Sequence, residues 1–279
     1  MLVDGSVPLP DVSAPPSCMK GQVTPDQVVM IGDSYMAASF GNVGANIVAD
    51  AQKAGSLAAG KNYREFYVAG ASMNGSMGTD LNIPYQYDSE ALVNKADNNL
   101  LTVTNPKDVQ VVIMDGGGND VLINQRSCLS DATEAALMAD TACQNAVTNA
   151  AATMDKLWKE MATGGVKHIV YYFYPHLDTA GGGFLPTPAP GVNLVDDEGA
   201  LAYQKICCGS SFTPTAANPT CTGNAPGTQC TYIDTRPAFE GHVADYIKGG
   251  ADHVHPTATG SMVIANLVWT AMVQGCIAQ

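Results

Sequence analysis

The sequence predicts an α/β protein whose mostly parallel sheet is covered on both faces by helices. Short apolar runs rich in β-branched residues recur along the chain, with helix-length segments between them. Polar, glycine-containing turns follow directly on several of these runs, and in open α/β sheets the carboxyl ends of strands are where ligands bind.

In chain order, Gln27-Val28-Val29-Met30-Ile31 reads as a buried strand, and residues 35–59 read as a mostly helical Ala/Gly-rich segment. Residues 63–69 are a second strand candidate. Residues 87–100 have helical length, although their asparagines oppose a helix. Val109 to Met114 is dominated by β-branched side chains and reads as a central strand. From Thr141 to Met161, Val147, Ala151, Met154, Leu157, Trp158 and Met161 repeat at helical spacing, and Gly164-Gly165 ends the segment. Val166 to Phe173 is the next strand; an alternating strand would put the rings of Tyr171-Tyr172-Phe173-Tyr174 largely into the core. Thr257 to Val273 forms the last helix, with Pro256 at its entrance.

Two stretches break this rhythm. Pro8, Pro10, Pro15 and Pro16 make residues 1–25 an extended N-terminal arm, leaving 26–279 as a single domain, which fits the 279-residue length. Within it, residues 178–235 are rich in Gly, Pro, Thr and Ser, hold four cysteines, and read as a fastened insertion with one helix candidate at 195–206. A loop of that length is expected to set substrate preference.

Composition narrows the partners. The formal charge of −13 has no Lys/Arg cluster to offset it, which excludes a phosphate-backbone footprint and predicts no nucleic-acid partner. No uninterrupted apolar stretch is long enough to span a bilayer. The eight cysteines point to disulfides in an oxidising compartment, hence a secreted or periplasmic protein, read as a mature chain since no basic-plus-apolar leader precedes it. The preferred pairs are Cys128 with Cys143, Cys18 with Cys276, and Cys207 and Cys208 with Cys221 and Cys230 in either order. Zinc is the rival explanation, but no repeated Cys-x-x-Cys supports it. No heptad seam indicates an oligomeric state.

Three polar sites carry the chemistry. Ser34 follows the first strand and would open the next helix, whose free N–H groups suit a developing oxyanion; taken alone, it is equally an ordinary helix cap. His255 supplies an imidazole able to take a serine proton, and Asp252, three residues earlier, can fix its tautomer. His253 is the competing base, and a solvent-facing turn is the bland alternative. Asn119, after Gly116-Gly117-Gly118, can donate to an oxyanion, while Asp120 braces the turn.

Gly32-Asp33-Ser34, Gly117-Gly118-Asn119-Asp120 and Asp252-His253-Val254-His255 resemble, in order, three blocks of the SGNH (GDSL-type) hydrolases. The resemblance implies a three-layer α/β/α sandwich around a flavodoxin-like sheet and a carboxylester hydrolase, an esterase or lipase, that needs no cofactor and no metal. Ser34 would be the nucleophile, His255 the general base, and Asp252 its orienter. The oxyanion hole would combine the Ser34 N–H, the Asn119 side chain and an N–H from the second block, which here reads Ala69-Gly70-Ala71-Ser72-Met73-Asn74-Gly75. Strict spacing chooses Met73 as that donor, and a small shift chooses Gly75. Asp33, Tyr35, in place of the family's leucine, and His176 just past a strand are candidates for the substrate pocket, with Asp178 nearby. The expected substrate is a small-molecule, lipid or acylated-sugar ester. Deacetylation of carbohydrate, or silent binding of a carbohydrate or acyl ligand, are the alternatives.

Overall fold

The computed structural model describes residue 18 and residues 23–37, 41–93, 108–209, 212–225 and 228–277. Apart from Cys18 and residues 23–25, the expected N-terminal arm lies outside them. Six strands form one sheet: β1 (Val28–Ile31), β2 (Arg64–Glu65), β3 (Val111–Met114), β4 (His168–Tyr172), β5 (Thr220–Ala225) and β6 (Thr228–Ile233). Their order is β2-β1-β3-β4-β6-β5, with every pairing parallel except the terminal β5–β6 hairpin. The helices, in order, are α1 (Val43–Lys53), α2 (Ile83–Tyr85), α3 (Gly118–Leu122), α4 (Glu134–Ala139), α5 (Thr141–Thr163), α6 (Val192–Cys208), α7 (Arg236–Phe239), α8 (Val243–Tyr246) and α9 (Ala258–Gln274).

The result is a three-layer α/β/α sandwich around a mostly parallel, flavodoxin-like sheet. On one side α1 packs against α9, and on the other α5 packs against α6. Strands covered on both faces have no polar side to show, which is why all four residues of β1 and of β3 are buried. On α5 the buried stripe runs through Val147, Ala150, Met154, Leu157, Trp158 and Met161. Trp158 meets Tyr171 of β4 edge-on, with ring centroids 5.5 Å apart. The Asp140 carboxylate caps the start of α5 by accepting from the N–H groups of Ala142 and Cys143.

Register sets where the site can form. Ile31 pairs with Met114, and Met114 with Tyr171, so β1, β3 and β4 end at one edge of the sheet. The segments beginning at Gly32, Asp115 and Phe173 therefore leave the sheet side by side.

Four disulfides fasten the periphery: Cys18–Cys276, Cys128–Cys143, Cys207–Cys230 and Cys208–Cys221. The last two tie the end of α6 to β6 and β5, closing the pairing that sequence left open.

Several sequence expectations are corrected. Residues 35–59 are helical only from Val43, because the described residues after Ser34 turn instead, with Gly41 N–H donating to the Ser34 carbonyl and Val43 N–H to that of Tyr35. The strand at 63–69 shrinks to Arg64–Glu65. The helix proposed for 87–100 is a turn-by-turn sequence of π and 3₁₀ geometry over Gln86–Val93, and its second half lies outside the described residues. The stretch 178–235 is no plain loop: it holds α6 and both β5 and β6, and β6 is a parallel partner of β4. No helix among the described residues is long and apolar enough to cross a membrane.

Candidate active site

Ser34 lies in the turn that follows β1, 5% exposed. Two neighbours hold the backbone there through three hydrogen bonds. The Gln86 side chain accepts from Gly32 N–H at 2.8 Å and donates to the Gly32 carbonyl at 3.0 Å. Asp33 N–H donates to Asp115 Oδ1 at 2.8 Å. Gly32, at φ 142°, allows this approach, since a Cβ there would sit 1.7 Å from the same Asp115 oxygen. Ser34 therefore does not open a helix as expected, α1 beginning nine residues later. No acceptor among the described residues takes the Ser34 N–H.

The turn before α9 brings the second component. His255 Nε2 lies 2.9 Å from Ser34 Oγ, although 221 residues separate them in sequence. His255 Nδ1 lies 2.8 Å from Asp252 Oδ1 and 3.0 Å from Oδ2. Asp252 Oδ1 also accepts from the N–H groups of Val254 (3.0 Å) and His255 (2.8 Å), so the carboxylate shapes the loop as well as facing the ring. Burial acts to raise the Asp252 pKa, but those N–H groups and the His255 ring outweigh it and hold the carboxyl below its usual range. Burial lowers the His255 pKa, against the opposing pull of Asp252, so the ring is neutral at neutral pH. With Asp252 on Nδ1–H, the Nε2 lone pair is left to accept from the serine hydroxyl.

Behind this pair the Tyr35 hydroxyl donates to the Val254 carbonyl at 2.7 Å, and its ring stacks on Tyr174 at 4.2 Å. The serine turn thus braces the histidine loop directly. Tyr35 is fully buried and belongs to that brace, not to the substrate pocket.

Asn119 sits in the first turn of α3, where its Nδ2 donates to the Ala71 carbonyl at 2.9 Å, leaving a second amide hydrogen. Asp120 gathers the second block: it accepts from Met73 N–H (2.8 Å), Asn74 N–H (3.0 Å) and Asn74 Nδ2 (3.0 Å). Met73 N–H is therefore taken by a carboxylate, and Gly75 N–H closes a turn onto the Ser72 carbonyl at 3.4 Å. Neither residue lines the cleft at Ser34, whereas Ala69 and Gly70 do. Both expected donors are corrected on that ground.

Beneath the serine turn lies a pair of buried acids. Asp115 Oδ2 accepts from the Tyr172 hydroxyl (3.1 Å), and Asp33 Oδ2 from that of Tyr174 (2.6 Å). Both carboxyls are inaccessible to solvent. Burial pushes Asp33 up to about 6, against the bonds from Tyr174 and Tyr35, and burial together with the Asp33 charge holds Asp115 well above the carboxylate range. Asp33 is thus a buried support and not a pocket residue.

The remaining candidates lie elsewhere. His176 bonds Asp197 at 2.8 Å, and Arg236 bonds the same carboxylate at 2.5 Å, so His176 belongs to an ion-pair cluster, and it does not line the cleft. His253 takes φ 60°, sits 3.8 Å from Asp178 and does not line the cleft. The cavity beside Ser34, Asn119 and His255 measures about 240 Å³ and is walled by Leu122, Ile123, Phe184, Leu185 and Val254, with Arg126 at its edge. Sequence reasoning missed Gln86, Asp115, Arg126 and Phe184. Asp115 alone carried a signal, as a charge ending an apolar strand.

No family model matches the chain, and no curated protein matches its sequence. Among solved structures its fold is similar to that of the lipase Lip_vut3 from a goat rumen metagenome, with a TM-score of 0.53 and 12% identity, covering 89% of this chain and 98% of that one. An acetylxylan esterase from Geobacillus stearothermophilus gives a TM-score of 0.47 at 14% identity (86% and 90% covered). An extracellular lipase from Streptomyces rimosus gives 0.45 at 17% (84% and 94%). At these identities the likeness is one of fold alone.

Proposed function

We propose that this chain is a serine-dependent carboxylester hydrolase of SGNH type, acting through an acyl-enzyme. The observation that carries it is the unbroken chain of short contacts from Ser34 Oγ through the His255 ring to Asp252, set at the floor of an apolar cavity. His255 Nε2 takes the Ser34 proton as Oγ attacks the ester carbonyl, then returns it to the departing alkoxide; water repeats the sequence on the acyl-enzyme. The Ser34 N–H and the free Asn119 amide hydrogen receive the oxyanion, with Gly70 N–H as the third donor in place of Met73. The chemistry requires no cofactor.

A 240 Å³ cavity with five apolar walls suits a small or medium acyl group. Deacetylation of carbohydrate uses the same steps and differs in what lies outside that cavity. The four disulfides support an oxidising compartment, secreted or periplasmic.

Ser34→Ala is expected to lower p-nitrophenyl acetate turnover by about 10⁴-fold or more with the circular dichroism unchanged, and Asp252→Asn by about 10⁴-fold. Undiminished turnover by folded Ser34→Ala protein would remove the basis of the proposal. Acetylated xylan, assayed beside the nitrophenyl esters, separates the two substrate classes.

A further inference from the structure

The stretch between β4 and α6 returns across the candidate site, and one ring in it is held where it has no packing reason to be. Phe184 is 50% exposed, an unusual state for a phenylalanine fixed by its own backbone. Its N–H donates to the Asp252 carbonyl at 3.1 Å, and its carbonyl accepts from Arg126 Nη2 at 2.8 Å. Its ring stands perpendicular to that of His255, with centroids 5.5 Å apart. Gly183, at φ 61°, makes this possible, because a Cβ there would lie 2.4 Å from the Ala251 backbone. Two opposed segments, the histidine loop and the stretch after α3, thus grip one residue by its peptide groups and leave its side chain over the cleft.

We propose that Phe184, held by Arg126 and the Asp252 carbonyl, is the specificity-determining wall of the acyl cavity and limits the length of acyl chain the site accepts. The inference rests on the hydrolase function proposed above and names its substrate class, short-chain acyl esters. Ser34 and Asn119, beside which the proposed carbonyl lies, share the lining of the cavity with the apolar side chains of Leu122, Ile123, Leu185 and Phe184. In this proposal an alkyl chain lying against that lining shares the cavity with the Phe184 ring. Arg126 matters through the loop: its guanidinium fixes the Phe184 carbonyl, so it is a positioning residue.

The test is kcat/KM for p-nitrophenyl acetate, butyrate and octanoate, with the leaving group constant, in the wild type, Phe184→Ala, Phe184→Trp and Arg126→Ala. The octanoate-to-acetate ratio is expected to rise about tenfold or more in Phe184→Ala, to fall in Phe184→Trp, and to rise by a smaller factor in Arg126→Ala. One methylene in an apolar pocket changes such ratios by roughly 10–200-fold. A parallel series of acetate esters with different alcohols reads the other side of the site. A ratio unchanged in both Phe184 variants, or a change confined to the alcohol series, overturns the inference; either Phe184 variant suffices should the other fail to fold. Ser34→Ala is run alongside. Turnover surviving it sinks the hydrolase function and this inference together, while an unchanged ratio in an enzyme that Ser34→Ala silences sinks the inference alone.

Discussion

At Ser34 the decisive quantity is where one proton sits. In the proposed reaction His255 must be neutral to accept it, and burial lowers its pKa below the ordinary histidine value near 6.5. kcat/KM for a neutral ester is therefore expected to rise with pH along a single limb whose midpoint lies below 6.5 and to be level by neutral pH. A midpoint above 7 would mean that Asp252 dominates the ring and that burial does not. The stability linkage has the same sign: a histidine with a lowered folded pKa contributes stability above its unfolded pKa and loses it as pH falls through the folded one.

The buried acids work in the opposite direction. Asp33 and Asp115 both have raised pKa values, so their contribution is fully present below about 4, the unfolded carboxylate value, and is lost as pH rises through about 6 and beyond. Asp115→Asn removes the charge of the acid: its oxygen can still accept from Asp33 N–H, and its amide takes the place of the oxygen facing the Tyr172 hydroxyl, which can turn to accept. The variant is expected to melt a few degrees above the wild type at pH 8 and close to it at pH 4, read by calorimetry. A Tm lowered at pH 8 would show that the charged pair is tolerated and that the asparagine breaks the support.

At the scale of elements, the edge of the sheet depends on covalent ties. β5 and β6 form the terminal hairpin, and α6 is bonded to each strand. Replacing Cys207 and Cys230 together by serine removes a tie across 23 residues, and its loss is expected to cost roughly 2–5 kcal/mol in denaturant unfolding. An unaltered unfolding midpoint would mean that packing of α6 on β6 holds the edge unaided.

This edge is also where sequence was least legible. Runs such as Val28–Ile31 and Val111–Met114 announce buried parallel strands because nothing polar interrupts them. β6 reads Thr-Gln-Cys-Thr-Tyr-Ile, a polar strand that is buried because it pairs with β4 and β5 and is covered by α6 and α9, and its pattern resembles the loops around it. α5 was legible to within two residues since its stripe and its Gly164 stop agree. The serine turn was misread as a helix start because Ala-rich sequence favours helix locally, whereas the Tyr35 hydroxyl and the backbone bonds onto Tyr35 hold a turn. Ser34, Asn119, Asp252 and His255 could be picked from sequence by residue type and spacing. Gln86, Arg126 and Phe184 could not, since each acts through a partner tens of residues away.

At the scale of the molecule, in-register strand ends turn three distant sequence segments into one site. The turn after β1 supplies Ser34, the segment after β3 supplies Asn119, and the turn before α9 supplies His255 and Asp252. The acidic chain, −13 overall, adds no field that would draw a polyanion to this edge. Neutral acyl esters reaching an apolar cavity are consistent with both the charge and the lining.

The central claim is that Ser34 is the activated nucleophile of this molecule. Treatment of the folded protein with a fluorophosphonate, followed by intact mass and peptide mapping, tests it most directly. One adduct is expected, on the peptide containing Ser34, absent in Ser34→Ala and slowed at pH values where His255 is protonated. A folded protein that takes no label, or takes it on another residue while Ser34 stays unmodified, would contradict it.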